Sequence, residues 1–263
     1  MLERVSNTGQ KYSANIQEIG GNMFNEPSQL AVSSHDASGK KRLKMKRYFT
    51  REGTHPYDEI RWERTDVTIT NDRGEPVFVQ KNVEHPDFWS ATAVKIAASK
   101  YFYGDHKTPG ARENSIRDLI DRVVKTIRSW GENVDELFDT SGDAQIFEEE
   151  LTWLLVNQYG AFNSPVWFNC GLWHHRKSND GGESGYHYHF DPATGQARRA
   201  AGPYHYPQCS ACFIIDIKDD MESILDHAVK EGRLFKFGSG TGTNFSSRRS
   251  SREGVSGGGR ASG

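Results

Sequence analysis

The feature that most constrains the fold is a short apolar run at residues 213–217, Phe-Ile-Ile-Asp-Ile, which is rich in β-branched side chains. Such a run is typical of a β-strand that is covered on both faces, as in a parallel sheet. Cys212 stands directly before it. We therefore expect the Cys212 thiol to enter a closed interior, where thiol chemistry is kept from water.

A helix is predicted to follow this strand, because Asp219 or Asp220 can cap the backbone N–H groups of its first turn. Gly232 is suited to end that helix. Residues 234–237 are then predicted to form a second strand, which leads into a glycine-rich loop at residues 238–244. Glycines allow backbone N–H groups to approach a ligand anion closely. The order strand, helix, strand, glycine loop predicts an α/β protein.

The composition narrows the function classes. The 263 residues carry a formal net charge of -2, which gives the chain no overall attraction to nucleic acid or to membrane surfaces. No apolar run approaches the length that is needed to span a bilayer, and three cysteines are too few for a disulfide framework. We therefore expect a cytoplasmic protein with reduced thiols.

The sequence closes on a Gly- and Ser-rich stretch at residues 257–263, soon after the predicted strands begin. A parallel strand–helix sheet needs further strands to satisfy its edges. We therefore expect this chain to be an N-terminal fragment of a longer polypeptide.

Four regions are predicted along the chain. A turn at residues 71–74 between two stretches of alternating pattern predicts a β-hairpin. Helical periodicity then predicts three helices, at residues 88–103, 115–130 and 143–159, with Gly131 as the stop of the second. The predicted regions are a flexible arm at 1–39, a small β unit at 40–86, a helical region at 87–160 and the first part of an α/β unit at 161–263.

A polar insertion interrupts the last region at residues 172–206. It contains five histidines, namely His174, His175, His187, His189 and His205. Their spacing fits no zinc pattern, so we expect a surface loop and no metal site. Ahead of the insertion, Asn163 and Ser164 precede a proline and are expected in an extended stretch or turn that exposes an amide and a hydroxyl.

Four motifs occur in order between residues 163 and 249. They are Asn-Ser-Pro-Val-Trp-Phe-Asn at 163–169, Ser-Ala-Cys-Phe at 210–213, Asp-x-Met-Glu-Ser-Ile at 219–224, and Gly-Ser-Gly-Thr-Gly-Thr-Asn-Phe-Ser at 238–246 with Arg248 and Arg249. In this order and spacing the chain resembles ribonucleotide reductases, most closely the adenosylcobalamin-dependent class.

The resemblance implies a ten-stranded α/β barrel, of which this chain would supply the N-terminal helical region and the opening strands. It also implies reduction of a ribonucleotide to a deoxyribonucleotide by thiyl-radical chemistry, with adenosylcobalamin as the radical source. The cofactor and the radical-bearing cysteine would be held mainly by parts of the protein beyond this chain, so the chain alone is expected to be inactive.

The resemblance assigns a role to individual residues. Cys212 matches the first of two reducing cysteines, and a cysteine thiol that is protonated at neutral pH can donate a proton to a departing 2′-hydroxyl before it gives up electrons. Ser164, Ala211 and Gly240 match substrate contacts, together with Cys212 itself. Without a ligand, Gly240 would be explained by a tight turn.

A second set of residues matches the family's specificity site, where a deoxynucleoside triphosphate effector binds at a subunit interface. These residues are Asp219, Asp220, Met221 and Arg249, and the implied assembly is a homodimer. The simpler explanation of Asp219 is a helix cap, and that of Arg249 is a solvated charge.

The other implied partners are a ribonucleoside di- or triphosphate substrate, a thioredoxin-type reductant and the remaining C-terminal part of the enzyme. Two alternatives stay open at the level of sequence. Cys209 and Cys212 form a Cys-x-x-Cys motif that suggests a thiol oxidoreductase, although such motifs normally open a helix and here a strand is predicted to follow. A nucleotide-binding regulatory fragment without catalysis is the other alternative.

Overall fold

The structure is a computed structural model. It describes residues 4–5, 11–12, 31–35, 41–105, 108, 110–133, 136–176, 187–191, 194–255 and 257–261. The chain divides into two compact units, residues 1–161 and 162–263. Among the described residues, every helix is either too short or too polar to cross a lipid bilayer.

The first unit opens with short antiparallel strand pairs. Strand β1 (Arg4–Val5) pairs with β2 (Lys11–Tyr12), and β3 (Ala31–His35) pairs with β4 (Lys41–Met45). Paired strands β1, β2 and β3 therefore stand where the sequence predicts a flexible arm at residues 1–39. The other residues of the predicted arm lie outside the described part of the chain.

The central hairpin of this unit confirms the sequence prediction. Strand β5 (Trp62–Thr70) pairs antiparallel with β6 (Pro76–Pro86). The Asn71 side chain accepts hydrogen bonds from the backbone N–H groups of Arg73 and Glu75, each at 3.0 Å, and so forms the turn between the strands.

Three helical segments follow the hairpin. They are α1 (Ala91–Ile96), which continues into a π-helical turn at Ala97–Tyr101, α2 (Ile116–Asn133) and α3 (Ser141–Val156). The predicted start of α1 at residue 88 is wrong, because the Ser90 hydroxyl caps the backbone N–H of Ala93 at 3.1 Å. The stop predicted at Gly131 is also wrong, since α2 continues past it.

The core of the first unit lies between α2 and α3. Apolar side chains of α2 are buried at helical spacing, as the sequence predicts: Ile116, Leu119, Ile120, Val123 and Val124. A polar network ties β4 to the start of α3, where the Asp143 carboxylate accepts hydrogen bonds from the backbone N–H of Met45 at 2.6 Å and of Thr140 at 3.0 Å.

The second unit begins with two short helices, α4 (Ser164–Asn169) and α5 (Leu172–Arg176). A hairpin follows, in which β7 (Tyr188–Asp191) pairs antiparallel with β8 (Gln196–Arg199). The prediction of a surface loop for residues 172–206 is therefore wrong in part, because this range contains a helix and a hairpin. Leu172 is fully buried and Ala200 is buried as well. Residues 177–186 lie outside the described part of the chain.

The predicted strand–helix–strand order is present in the second unit. Strand β9 (Cys212–Ile214) is followed by α6 (Met221–Lys236) and β10 (Gly240–Gly242), and the two strands are parallel. Two details differ from the prediction. Gly232 lies inside α6 and does not end it. Residues 234–236 complete the helix and Phe237 is its C-cap, so the second strand is formed by the glycine-rich segment itself.

Candidate active site at the β9–β10 strand pair

Cys212 opens strand β9, and its Cα is paired with that of Gly240 across the parallel ladder. Its side chain is exposed, and Ile214 on the same strand is 89% exposed. The expected closed interior around this strand is therefore absent from the described chain. Strand β9 is paired with β10 in a two-stranded sheet. The described residues therefore leave open the faces of β9 that would be covered in a larger sheet.

Gly240 leaves open space beside Cys212. Its backbone N–H donates a hydrogen bond to the Ala211 carbonyl oxygen at 2.6 Å. A Cβ added at Gly240 would meet Ala211 O at 3.7 Å, which is ordinary van der Waals contact. The tight-turn explanation of this glycine is therefore wrong, because Gly240 lies in a strand where the chain would tolerate a side chain.

Gly238 is the glycine that the backbone requires. Its φ is +81°, in the left-handed region that favours glycine. A Cβ at this position would lie 2.7 Å from a ring carbon of Phe168. Helix α4 therefore packs closely against the turn that connects α6 to β10.

Ser164 is the first residue of α4, rather than part of an extended stretch. Asn163 caps this helix, and its side-chain oxygen accepts a hydrogen bond from the backbone N–H of Val166 at 3.2 Å. Ser164 is half-buried. The prediction of an extended stretch is confirmed for Asn163 and wrong for Ser164, because an Asn cap followed by Pro near the first helical position starts a helix efficiently.

The last residue of α4, Asn169, is a positioning residue that the sequence analysis does not identify. It is 4% exposed, and its Nδ2 donates to the carbonyl oxygens of Gln208 at 2.9 Å and Phe237 at 3.1 Å. These carbonyls belong to the segments that enter β9 and β10. The sequence feature that could have identified Asn169 is its place as the final residue of the Asn-Ser-Pro-Val-Trp-Phe-Asn motif.

A polar network holds α6 against β10. The Thr241 hydroxyl donates to Glu231 Oε1 at 2.6 Å, and His227 Nε2 lies 2.7 Å from Thr243 Oγ1. His227 is 6% exposed, and its Nδ1 lies 3.7 Å from Glu231 Oε2. His227 and Glu231 are spaced i, i+4 and so lie on one face of α6. Their partners Thr243 and Thr241 are spaced i, i+2 and so lie on one face of the strand segment.

The residues matched to the effector site occupy one end of α6. The Asp219 carboxylate lies 2.5 Å from Arg249 Nε and 3.4 Å from Arg248 Nε. The hydrogen bond from Arg249 lowers the pKa of Asp219. Asp220, not Asp219, caps the helix by accepting from the backbone N–H of Ser223 at 2.7 Å. The expectation that Asp219 is a helix cap is therefore wrong.

Two family models match the chain. Residues 63–158 match a model described as class II vitamin B12-dependent ribonucleotide reductase, and residues 210–263 match one described as the ribonucleotide reductase barrel domain. Together they cover more than half of the chain, and the second begins two residues before Cys212. The chain belongs to the vitamin B12-dependent ribonucleotide reductase family.

Curated relatives carry the same family name. The vitamin B12-dependent ribonucleotide reductase of Rhodopirellula baltica is 45% identical over 212 residues, which are 81% of this chain and 20% of the relative. That of Streptomyces coelicolor is 46% identical over 238 residues, which are 90% of this chain and 21% of the relative. That of Agrobacterium fabrum is 35% identical over 256 residues, which cover 84% of this chain and 20% of the relative. The chain thus spans about a fifth of the length of the reductases that it matches.

Membership in this reductase family raises the question of where vitamin B12 would bind. Three cavities of the described chain have volumes of about 350, 300 and 370 Å³. Cavities of this size suit small ligands and are too small for a corrinoid cofactor with its attached nucleosides. Among the described residues, no group of three His, Cys, Asp or Glu side chains could hold a metal ion. None of these three cavities is large enough for the cofactor.

Proposed function

We propose that this chain works as part of a vitamin B12-dependent ribonucleotide reductase and supplies the opening strands of its ten-stranded α/β barrel. The reaction is the reduction of a ribonucleoside di- or triphosphate to the corresponding deoxyribonucleotide. The observation that carries the proposal is the parallel β9–α6–β10 unit, which sets Cys212 directly opposite Gly240 within the region matched to the family's barrel domain.

Cys212 acts in this proposal as the thiol that reduces the substrate. It donates its proton toward the departing 2′-hydroxyl, and with a second thiol from outside this chain it supplies two electrons and ends as a disulfide. Its exposed position on β9 fits this role, since the sugar must reach the sulfur directly.

Gly240, Ala211 and Ser164 form the proposed substrate surface. No side chain of the described residues lies within 4 Å of a Cβ built at Gly240, so a nucleotide can lie flat against the backbone beside Cys212. Asn169 supports this surface by fixing the approaches to both strands. Ser164, on the same helix as Asn169, would offer its hydroxyl to the substrate.

Asp219, Asp220, Met221 and Arg249 form the proposed effector site, for a deoxynucleoside triphosphate. The paired Asp219 and Arg249 join the start of α6 to the segment after β10. An anionic ligand would draw Arg249 away from Asp219, which would couple effector binding to the position of both segments. Met221 is 69% exposed and would lie at the interface of a homodimer.

Adenosylcobalamin would supply the radical when it is bound to the complete enzyme, held mainly by parts of the protein beyond this chain. A thioredoxin-type reductant would regenerate the Cys212 thiol after each turnover. A cycle that depends on reduced thiols suits the cytoplasm.

The test replaces Cys212 by serine in the full-length enzyme. Because serine cannot form a disulfide, we expect multiple-turnover reduction to fall by at least ~10²-fold, while cobalt–carbon bond cleavage stays measurable. Cys209→Ser is the matched control, since it removes a thiol three positions away, and it should be far milder. Normal turnover of the Cys212→Ser enzyme with a thiol reductant would show that the assigned role is wrong.

A further inference from the structure

The second unit contains a cysteine pair that the proposed reaction does not use. All three cysteines lie in the described part of the chain, and none of them is in a disulfide. Cys170 follows the last residue of α4 and is 1% exposed, whereas Cys209 lies in the segment before β9 and is partly exposed. Cys212 differs from both because it is exposed.

The backbones that carry Cys170 and Cys209 are tied together by their neighbours. Asn169, just before Cys170, donates to the carbonyl oxygen of Gln208, just before Cys209, at 2.9 Å. A second hydrogen bond from the same amide, to Phe237 O at 3.1 Å, holds this arrangement against the end of α6. The side chains of Cys170 and Cys209 are neighbours in this arrangement.

The same contact changes the chemistry of Cys209. The hydrogen bond from Cys170 lowers the pKa of Cys209, and burial opposes this effect. A lower pKa increases the fraction of thiolate, which is the nucleophilic form in thiol–disulfide exchange. The neighbouring Cys170 is positioned to take part in the next step.

We propose that Cys170 and Cys209 form a second redox-active dithiol, separate from Cys212, which is oxidised to a disulfide by a small-molecule or protein disulfide. The Cys209 thiolate attacks one sulfur of the oxidant, forms a mixed disulfide and releases one thiolate. Cys170 then loses its proton to solvent, attacks the Cys209 sulfur and releases the second thiolate. One oxidant disulfide and two protein thiols give one protein disulfide and two small thiols.

Burial fixes the order of these steps. An oxidant in solution reaches the partly exposed Cys209 but not Cys170, which is 1% exposed. Cys209 is therefore the attacking thiol and Cys170 the resolving thiol. The pairing also keeps Cys209 from reacting with Cys212 in the Cys-x-x-Cys motif, so Cys212 stays available. The chemistry itself does not depend on the proposed reductase function.

The test uses the 263-residue chain with oxidised glutathione, followed by alkylation of the remaining thiols and peptide mass spectrometry. Wild type and Cys212→Ser should both yield the Cys170–Cys209 cross-link, in at least ~10-fold excess over glutathione adducts because the second step is intramolecular. Cys170→Ser should accumulate glutathione on Cys209. Cys209→Ser should leave Cys170 unmodified in the folded chain, with folding checked by circular dichroism.

Either of two results would overturn the proposal. One is a Cys209–Cys212 cross-link as the main product in wild type. The other is failure of the Cys212→Ser chain, which keeps both proposed thiols and changes an exposed position, to form an intramolecular disulfide at any ratio of oxidised to reduced glutathione.

Discussion

Two glycines that look equivalent in the sequence have different physical reasons to be glycine. Gly238 has a φ of +81° and lies under the Phe168 ring, so the fold of the chain requires it. Gly240 has ordinary strand geometry and room for a Cβ. The fold therefore explains the first glycine, and the proposed ligand explains the second.

Alanine substitutions at these two positions separate folding from substrate binding. Gly238→Ala should lower the free energy of unfolding of the 263-residue chain by about 1–3 kcal/mol, from left-handed strain and the clash with Phe168. Gly240→Ala should change it by less than about 0.5 kcal/mol, yet raise the KM for ribonucleotide in the full-length enzyme. Urea denaturation and steady-state kinetics measure the two effects. Equal destabilisation by both substitutions would contradict this division.

Residue types and motifs predicted which residues belong to the candidate site, but not the partner of each side chain. Asp219 and Asp220 are adjacent and identical in chemistry, and their roles differ because Arg249, 30 positions later, pairs with the first. The role of Asn169 was missed for the same reason, since its two carbonyl partners are distant in the sequence. Contacts of this kind depend on the fold and not on local pattern.

At the scale of elements, one carboxylate contacts both sides of the junction between β4 and α3. Asp143 forms a capping box with Thr140 and also accepts from the backbone N–H of Met45. Burial alone raises its pKa, but the hydrogen bonds from Thr140 and Met45 outweigh burial and lower the pKa below its ordinary value. The ionised form therefore stabilises both the helix start and its contact with the strand.

The Asp143→Asn substitution tests this junction. Because the folded-state pKa of Asp143 is lowered, its contribution is fully present above the ordinary aspartate value and is lost as the pH falls through the folded value. We expect a loss of about 1 kcal/mol at pH 7, which becomes smaller below about pH 4. Denaturant unfolding of wild type, Asp143→Asn and the exposed control Asp139→Asn measures it. A loss that does not vary with pH would show that the carboxylate charge is not involved.

Sequence periodicity predicted the three helical segments and the hairpin of the first unit, whereas the positions of helix ends were less predictable. Gly131 was interpreted as a stop, but it lies within α2 and leaves room for the Phe138 ring: an added Cβ would lie 2.6 Å from that ring. Gly232 has nothing within 4 Å of an added Cβ and is simply a tolerated residue inside α6. A glycine that ends a helix and one that admits a neighbouring ring look the same in a single sequence.

At the scale of the whole molecule, α6 carries an apolar stripe that the described chain does not cover. Met221, Leu225 and Val229 follow each other at i, i+4 and i+8 and are 69, 61 and 50% exposed. The i, i+4, i+8 spacing places these three side chains on one face of α6. Its position next to Asp219 and Asp220 supports the proposed dimer interface with its effector site.

A charge on this stripe should prevent the proposed assembly. In the full-length enzyme with a deoxynucleoside triphosphate, Leu225→Glu should shift the sedimentation profile from dimer to monomer, because an unpaired charge would be buried at the interface. Asp226→Asn, at an exposed polar position on the same helix, should leave the dimer intact. An unchanged dimer in the Leu225→Glu enzyme would place the interface elsewhere.

The burial of Cys212 is the property that the sequence could not determine for this chain. The apolar run after Cys212 predicts a covered strand, and the described residues cover it only in part. Covering both faces of a parallel strand takes several neighbouring strands and helices. The chain spans about a fifth of its relatives' length, and we expect the remaining elements to come from the rest of the enzyme.

The most direct test of the account is the redox state of Cys212 after a single turnover. The full-length enzyme with adenosylcobalamin is given ribonucleotide without a reductant, and its thiols are then alkylated and mapped by mass spectrometry. We predict that Cys212 becomes protected in a disulfide in proportion to the deoxyribonucleotide formed. Deoxyribonucleotide formation with Cys212 still fully open to alkylation would contradict the account.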